Sequence, residues 1–168
     1  MIRKKKLYAR PKRLYEKVRI LEENKLMANY ALKNKKEIWK TDAKINYYRS
    51  RAKELAKKPL EEQKVLFDRL TALGIKVNSI ADILALKIEN LLERRLPTIV
   101  AKKGFAKTLK QARQMVSHKN ILINENVVNT PSYIVPVSEE NLITLRKPNK
   151  KLKEQPQEKK EEKSMENK

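Results

Sequence analysis

The chain's single histidine, His118, stands between Ser117 and Lys119, which puts a hydroxyl, an imidazole and an ammonium side by side. Such a trio donates to phosphate oxygens and sugar hydroxyls, and its ring can stack on a base. The plainer reading is a histidine that ends a helix near the negative end of its dipole. Other chemistry finds little support. There is no cysteine and no second histidine to complete a zinc site, and neither Gly74 nor Gly104 is followed by the Lys-Ser or Lys-Thr of a phosphate loop. The acid pairs Glu22-Glu23 and Glu61-Glu62 are adjacent, so on a helix they point to different sectors and suit solvated surface rather than a catalytic dyad. No catalytic residue, metal or cofactor is expected.

What remains is charge. The 168 residues carry 41 Lys plus Arg against 20 Asp plus Glu, a formal net charge of +21. Self-repulsion of that size disfavours the compact state until a polyanion neutralises it, and nucleic acid is the commonest polyanion in a cytosol. A membrane surface would call for one amphipathic basic helix with exposed Trp or Phe, whereas these bases are spread along the chain. No apolar run approaches the ~18 to 20 residues of a bilayer span, and no apolar signal core follows the basic N-terminus. With zero cysteines, this fits a cytoplasmic protein. Lysine supplies 30 of the 41 bases, and it meets phosphates as a hydrated point charge rather than reading base edges with a planar fork. Backbone contact is expected to dominate.

The elements that must position these groups follow from local pattern. Residues 1–13 hold Arg3, Lys4, Lys5, Lys6, Arg10, Lys12 and Arg13 with no acid, and read as an extended basic arm. Leu14, Val18, Leu21, Leu26 and Tyr30 predict a helix with one buried face. Asn34 and Glu37 have capping-box spacing ahead of a second helix that buries Ile38, Ile45, Tyr48, Ala52 and Leu55, carries a basic outer face and stops at Pro59. A third helix runs from Leu60 to a left-handed cap at Gly74. Asn78-Ser79 caps a stripe that continues toward Gly104, and Pro97 either kinks it or opens a new helix. Thr108 and Gln111 then cap a short helix with Leu109, Ala112, Met115 and Val116 inside, and Lys110, Arg113, Gln114 and Ser117 outside. Four short β-favouring runs follow, at residues 121–123, 127–128, 133–135 and 142–145. The fold class is α+β and mostly helical: an N-terminal helical segment, then two helices packed on a short-stranded sheet.

Arg94-Arg95-Leu96, Gly104-Phe105, Ala112-Arg113-Gln114, Val116-Ser117-His118-Lys119, Ile123-Asn124 and the run from Val127 to Tyr133 together resemble the S-four RNA-binding domain. Arg10-Pro11, the stretch from Tyr30 to Trp39, and Leu84 to Leu96 resemble the small-subunit ribosomal protein S-four family in its archaeal and eukaryotic form. The likeness spans roughly residues 8 to 147. With the basic start and the Lys, Glu, Gln, Asn and Pro composition from Pro148 onward, to which the likeness does not extend, the expected division is 1–13 arm, 14–93 helical rRNA-binding segment, 94–147 S-four-like domain and 148–168 disordered tail. It also implies early binding of a multi-helix junction in the 5′ domain of small-subunit ribosomal RNA, a place beside the S-five protein, and an influence on decoding accuracy. Carried over by residue, Arg95, Arg113, Ser117, His118 and Lys119 face the RNA; Lys103, Lys107, Lys110, Gln114 and the arm extend that footprint. The expected partners are ribosomal RNA and neighbouring ribosomal proteins, with no membrane and no small-molecule substrate. Three departures mark this chain: Glu125 where bacterial members often have Gly, Pro97 in place of a polar residue, and no N-terminal zinc knuckle. The nearest rival is a biogenesis factor of the same family that binds precursor RNA; a modifying enzyme would need a catalytic domain for which the chain has no room.

Overall fold

The computed structural model describes residues 6–146. Arg3, Lys4 and Lys5 of the arm, and the tail from residue 148, lie outside them. Five helices come first: α1 Lys17–Asn29, α2 Lys35–Leu55, α3 Leu60–Ala72, α4 Ile80–Leu84 and α5 Ile88–Glu93. The stripe predicted for α2 is buried as Ile38, Ile45, Tyr48, Ala52 and Leu55. The last four of these join Leu66 and Leu70 of α3, Ile83 of α4 and Leu91 of α5 in one core. Gly74 takes φ +79°, and the amides of Gly74 and Ile75 close onto the carbonyls of Thr71 and Leu70 to end α3.

The second unit comprises α6 Leu96–Lys102, α7 Leu109–Ser117, the strands β1 Ile121–Ile123, β2 Asn126–Val127 and β3 Ile143–Leu145, and a single turn α8 Val137–Glu140. Pro97 lies in the first turn of α6, where its missing N–H has no helical partner to lose, so it opens a new helix rather than kinking an old one. The sheet is antiparallel in the order β2-β1-β3. Alternation along β1 turns Ile121 and Ile123 inward onto Ile99, Val100, Ala112 and Val116.

Two expectations need correcting. The run at 133–135 is not a strand of this sheet: Ile134 bridges Arg95, while Leu96 donates to Tyr133 O and Val135 donates to Arg94 O. Its flanking Pro131 and Pro136 lack the N–H groups that a longer ladder needs. This pairing joins the two units along residues 94–96. Leu14, just ahead of α1, and Val18 and Leu21 within it are 58%, 66% and 61% exposed, whereas Leu26 and Tyr30 of the expected face do pack against Leu32, Ile38 and Leu92, and the one fully buried side chain of the helix is Glu23. Glu23 accepts from Arg19 at 2.6 Å and from the Trp39 indole at 3.0 Å, and its other oxygen is ion-paired with the Lys35 ammonium at 3.2 Å.

Candidate nucleic-acid interface

The exposed side of α7 is set by how its other side is held. Thr108 accepts from the Gln111 amide and Gln111 Oε1 accepts from the Lys107 amide, which fixes the first turn. Ala112 and Val116 then anchor the helix, leaving Lys107, Lys110, Gln114, Ser117, His118 and Lys119 exposed. At the far end Lys119 has φ +61°, its amide donates to Val116 O, and the Asn120 amide donates to Met115 O. This is the cap that glycine normally forms, built here on a lysine at some cost in strain. The result is an exposed lysine on a fixed backbone beside His118 and Ser117. Ser117 itself donates to Arg113 O at 3.0 Å.

Not every expected RNA contact lies on this surface. Arg95 is only 6% exposed and donates to Glu37 Oε2 at 2.7 Å. Arg113 grips the same carboxylate with both nitrogens, Nη2 to Oε1 at 2.7 Å and Nη1 to Oε2 at 3.1 Å, and also donates to Ala31 O at 3.2 Å. Lys103 is half-buried and donates to Glu140 O at the end of α8. The physical reason is shared: each of these cations faces a carboxylate or carbonyl supplied by another element. Of the arm, Lys6, Arg10, Lys12 and Arg13 are exposed. The arm is tied down by Tyr8, whose ring lies 6.2 Å from Trp39, and by Arg19, which donates to Arg13 O and Leu14 O.

Glu37 was readable only as half of a capping box. In the structure Asn34 is the N-cap but makes no side-chain cap bond, and Glu37 accepts from the Lys33 amide at 3.3 Å while serving both arginines. Burial works against the charge on Glu37, but the hydrogen bonds from Arg113 and Arg95 outweigh it and hold the carboxyl below its ordinary value. Glu23 behaves alike, with burial opposed by Trp39, Arg19 and Lys35. Arg94 was also passed over as a structural residue. It donates to Glu140 at 3.0 Å and to Val135 O at 3.0 Å, and its guanidinium lies where a Cβ on Gly74 would come within 2.7 Å. A pattern search misses such residues because their partners are far away in sequence.

The S4 domain model matches residues 94–141, which begins at the paired arginines and takes in α6, α7 and β1. Small ribosomal subunit protein uS4 of Ignicoccus hospitalis is 45% identical over 145 residues, covering 83% of this chain and 87% of its own. The chain belongs to the uS4 family. Its uS4 relatives from Hyperthermus butylicus and Methanocella arvoryzae are 39% and 37% identical, each over 83% of this chain and over 82% and 75% of their own. In uS4 terms, Glu37 and α2 lie ahead of the S4 domain and Arg95 and Arg113 lie within it. The triad is therefore a tie between that domain and the helices before it. Among the described residues no group of acids and histidines is placed to hold a metal, and no helix is long and apolar enough to cross a membrane.

Proposed function

We propose that this chain is a structural constituent of the small ribosomal subunit, in the cytoplasm, that binds ribosomal RNA at a multi-helix junction of the 5′ domain. The observation that carries the reading is the outer side of α7 and its two ends, where Lys107, Lys110, His118 and Lys119 are exposed and form no ion pair among the described residues. Lysines set out along a helix whose ends are fixed fit converging phosphates because each phosphate contact releases condensed counterions. Early binding in assembly, contact with the S-five protein and an effect on decoding accuracy belong to the same proposal. They follow the family, and a net charge of +21 supports an early role in drawing RNA strands together. In place of chemistry, the protein supplies positioning.

The test is a salt titration of binding to a 5′-domain transcript. With about 6 to 10 phosphate contacts, affinity falls roughly a thousandfold or more between 50 and 200 mM salt. An affinity independent of salt rejects the mechanism. Gradient fractionation separates this role from that of a biogenesis factor, since a constituent persists in mature subunits.

A further inference from the structure

We infer that the groove between α2 and α3 docks a short segment of a partner protein that is both acidic and apolar. The groove has a volume of about 310 Å³ and is lined by α2 and α3 alone, with no residue from the S4 domain. Tyr48, Leu55 and Leu66 are buried and form its floor. Tyr47 of α2 and Val65 of α3 also line it, yet they are 60% and 70% exposed. Single exposed apolar residues are ordinary, but one on each helix above an apolar floor makes a patch that a partner can cover. Tyr47, Arg51 and Leu55 fall four residues apart, and Glu62, Val65 and Arg69 three and four apart, so each wall is a straight row about 12 Å long. A groove of that length takes about two turns of an amphipathic helix.

Charge selects the occupant. Arg51 and Arg69 line the groove with one acid, Glu62, which is already paired with Lys58 at 2.8 Å. Arg69 forms no ion pair among the described residues. Arg51 meets only Glu54, in a half-exposed pair that holds it weakly. Both guanidiniums are therefore open to carboxylates, and Tyr and Arg are the residue types that dominate the energy of protein interfaces. A second copy of this chain does not answer them, because two bodies of +21 repel. Nor do residues 150–168, whose seven Lys and five Glu leave a net of +2. Nucleic acid fits less well than an acidic peptide: phosphates suit the arginines, but the aliphatic surface of Leu55, Val65 and Leu66 gains from burial only against apolar side chains.

The experiment uses the full chain and a labelled synthetic peptide that carries leucines on one helical face and glutamates on the other, with affinity read by fluorescence anisotropy. A control peptide has serine in place of every leucine. Tyr47→Ala with Val65→Ser weakens binding of the Leu-Glu peptide about tenfold or more, and Arg69→Gln weakens it about threefold or more. Val18→Ser with Leu21→Ser, a comparable loss of exposed apolar surface on α1, leaves it unchanged. The serine peptide binds the wild-type chain about tenfold or more weakly than the Leu-Glu peptide. Equal binding of the two peptides shows attraction by charge alone and overturns the proposal, as does unchanged affinity in the Tyr47 and Val65 variant. That variant also keeps the wild-type affinity for the 5′-domain transcript; a loss there, with peptide binding unaffected, gives the groove to RNA instead. Circular dichroism checks the fold, and should Tyr47→Ala disturb α2, Val65→Ser alone carries the test at a position 70% exposed.

Discussion

Lys119 combines two properties that usually exclude each other, an exposed charge and a left-handed backbone. Such strain in a non-glycine residue costs on the order of 1 kcal/mol, and the neighbouring helix ends at Gly74 and Gly104 avoid it. Lys119→Gly should therefore raise stability by up to about 1 kcal/mol while weakening RNA binding. Denaturant unfolding and a binding titration on the same variant check both signs; a stabilised variant with unchanged affinity shows that the lysine has no part in binding. Arg113 behaves in the opposite way. Helical periodicity places it outside the apolar stripe, and from the sequence Arg113→Ala looks harmless to the fold. Its three bonds to Glu37 and Ala31 make it a structural residue, so loss of RNA binding on its removal does not by itself report a contact. Lys110 and Lys119 are cleaner probes of the surface.

At the scale of elements, local signals were readable and distant ones were not. Ser79 and Asp82 form the reciprocal cap that their spacing announces, and Thr108, Pro97 and Gly74 each end or begin a helix for reasons contained within one turn. Leu14, Val18 and Leu21 misled, while Leu26 and Tyr30 did not, because periodicity says that a face exists, not how far along it something covers it. Residues 133–135 misled similarly: they favour extended backbone, but their partner is the Arg94–Leu96 segment, which no local pattern announces. The β1–β2 turn shows how Glu125 is accommodated after Asn124. Ile123 pairs with Asn126, so Asn124 and Glu125 form a two-residue turn, with φ of +48° and +66°. Both central positions of such a turn require positive φ, for which Asn-Gly is preferred. Glu125→Gly should stabilise the hairpin by about 1 kcal/mol, visible as a higher melting temperature; no change shows that the turn is not strained.

For the whole molecule, the exposed basic side of α7 was legible in outline because charge and helix period are properties of sequence, whereas the triad that holds the two units together spans 58 and 76 residues. Glu37→Gln leaves two guanidiniums facing no anion. Because the Glu37 side chain keeps 17% of its surface exposed, the cost is set below that of a fully buried pair, at about 2 to 3 kcal/mol, measured by denaturant unfolding. Acidity acts on the same bond. Since folding depresses the Glu37 pKa, its contribution is complete above the ordinary carboxylate value of 4.5 and is lost as pH falls through the folded value. Wild-type stability should decline below about pH 4.5, and Glu37→Gln should flatten part of that decline. An unchanged acid limb in the variant removes Glu37 from the account.

The span of that ion triad has a consequence for the protein's own birth. Translation delivers Glu37 first and Arg113 only 76 residues later, which at about 5 to 20 residues per second is a wait of roughly 4 to 15 s. Until Arg95 emerges, 58 residues after Glu37, the carboxylate has neither guanidinium partner, and the full clasp closes only after Arg113 has left the exit tunnel.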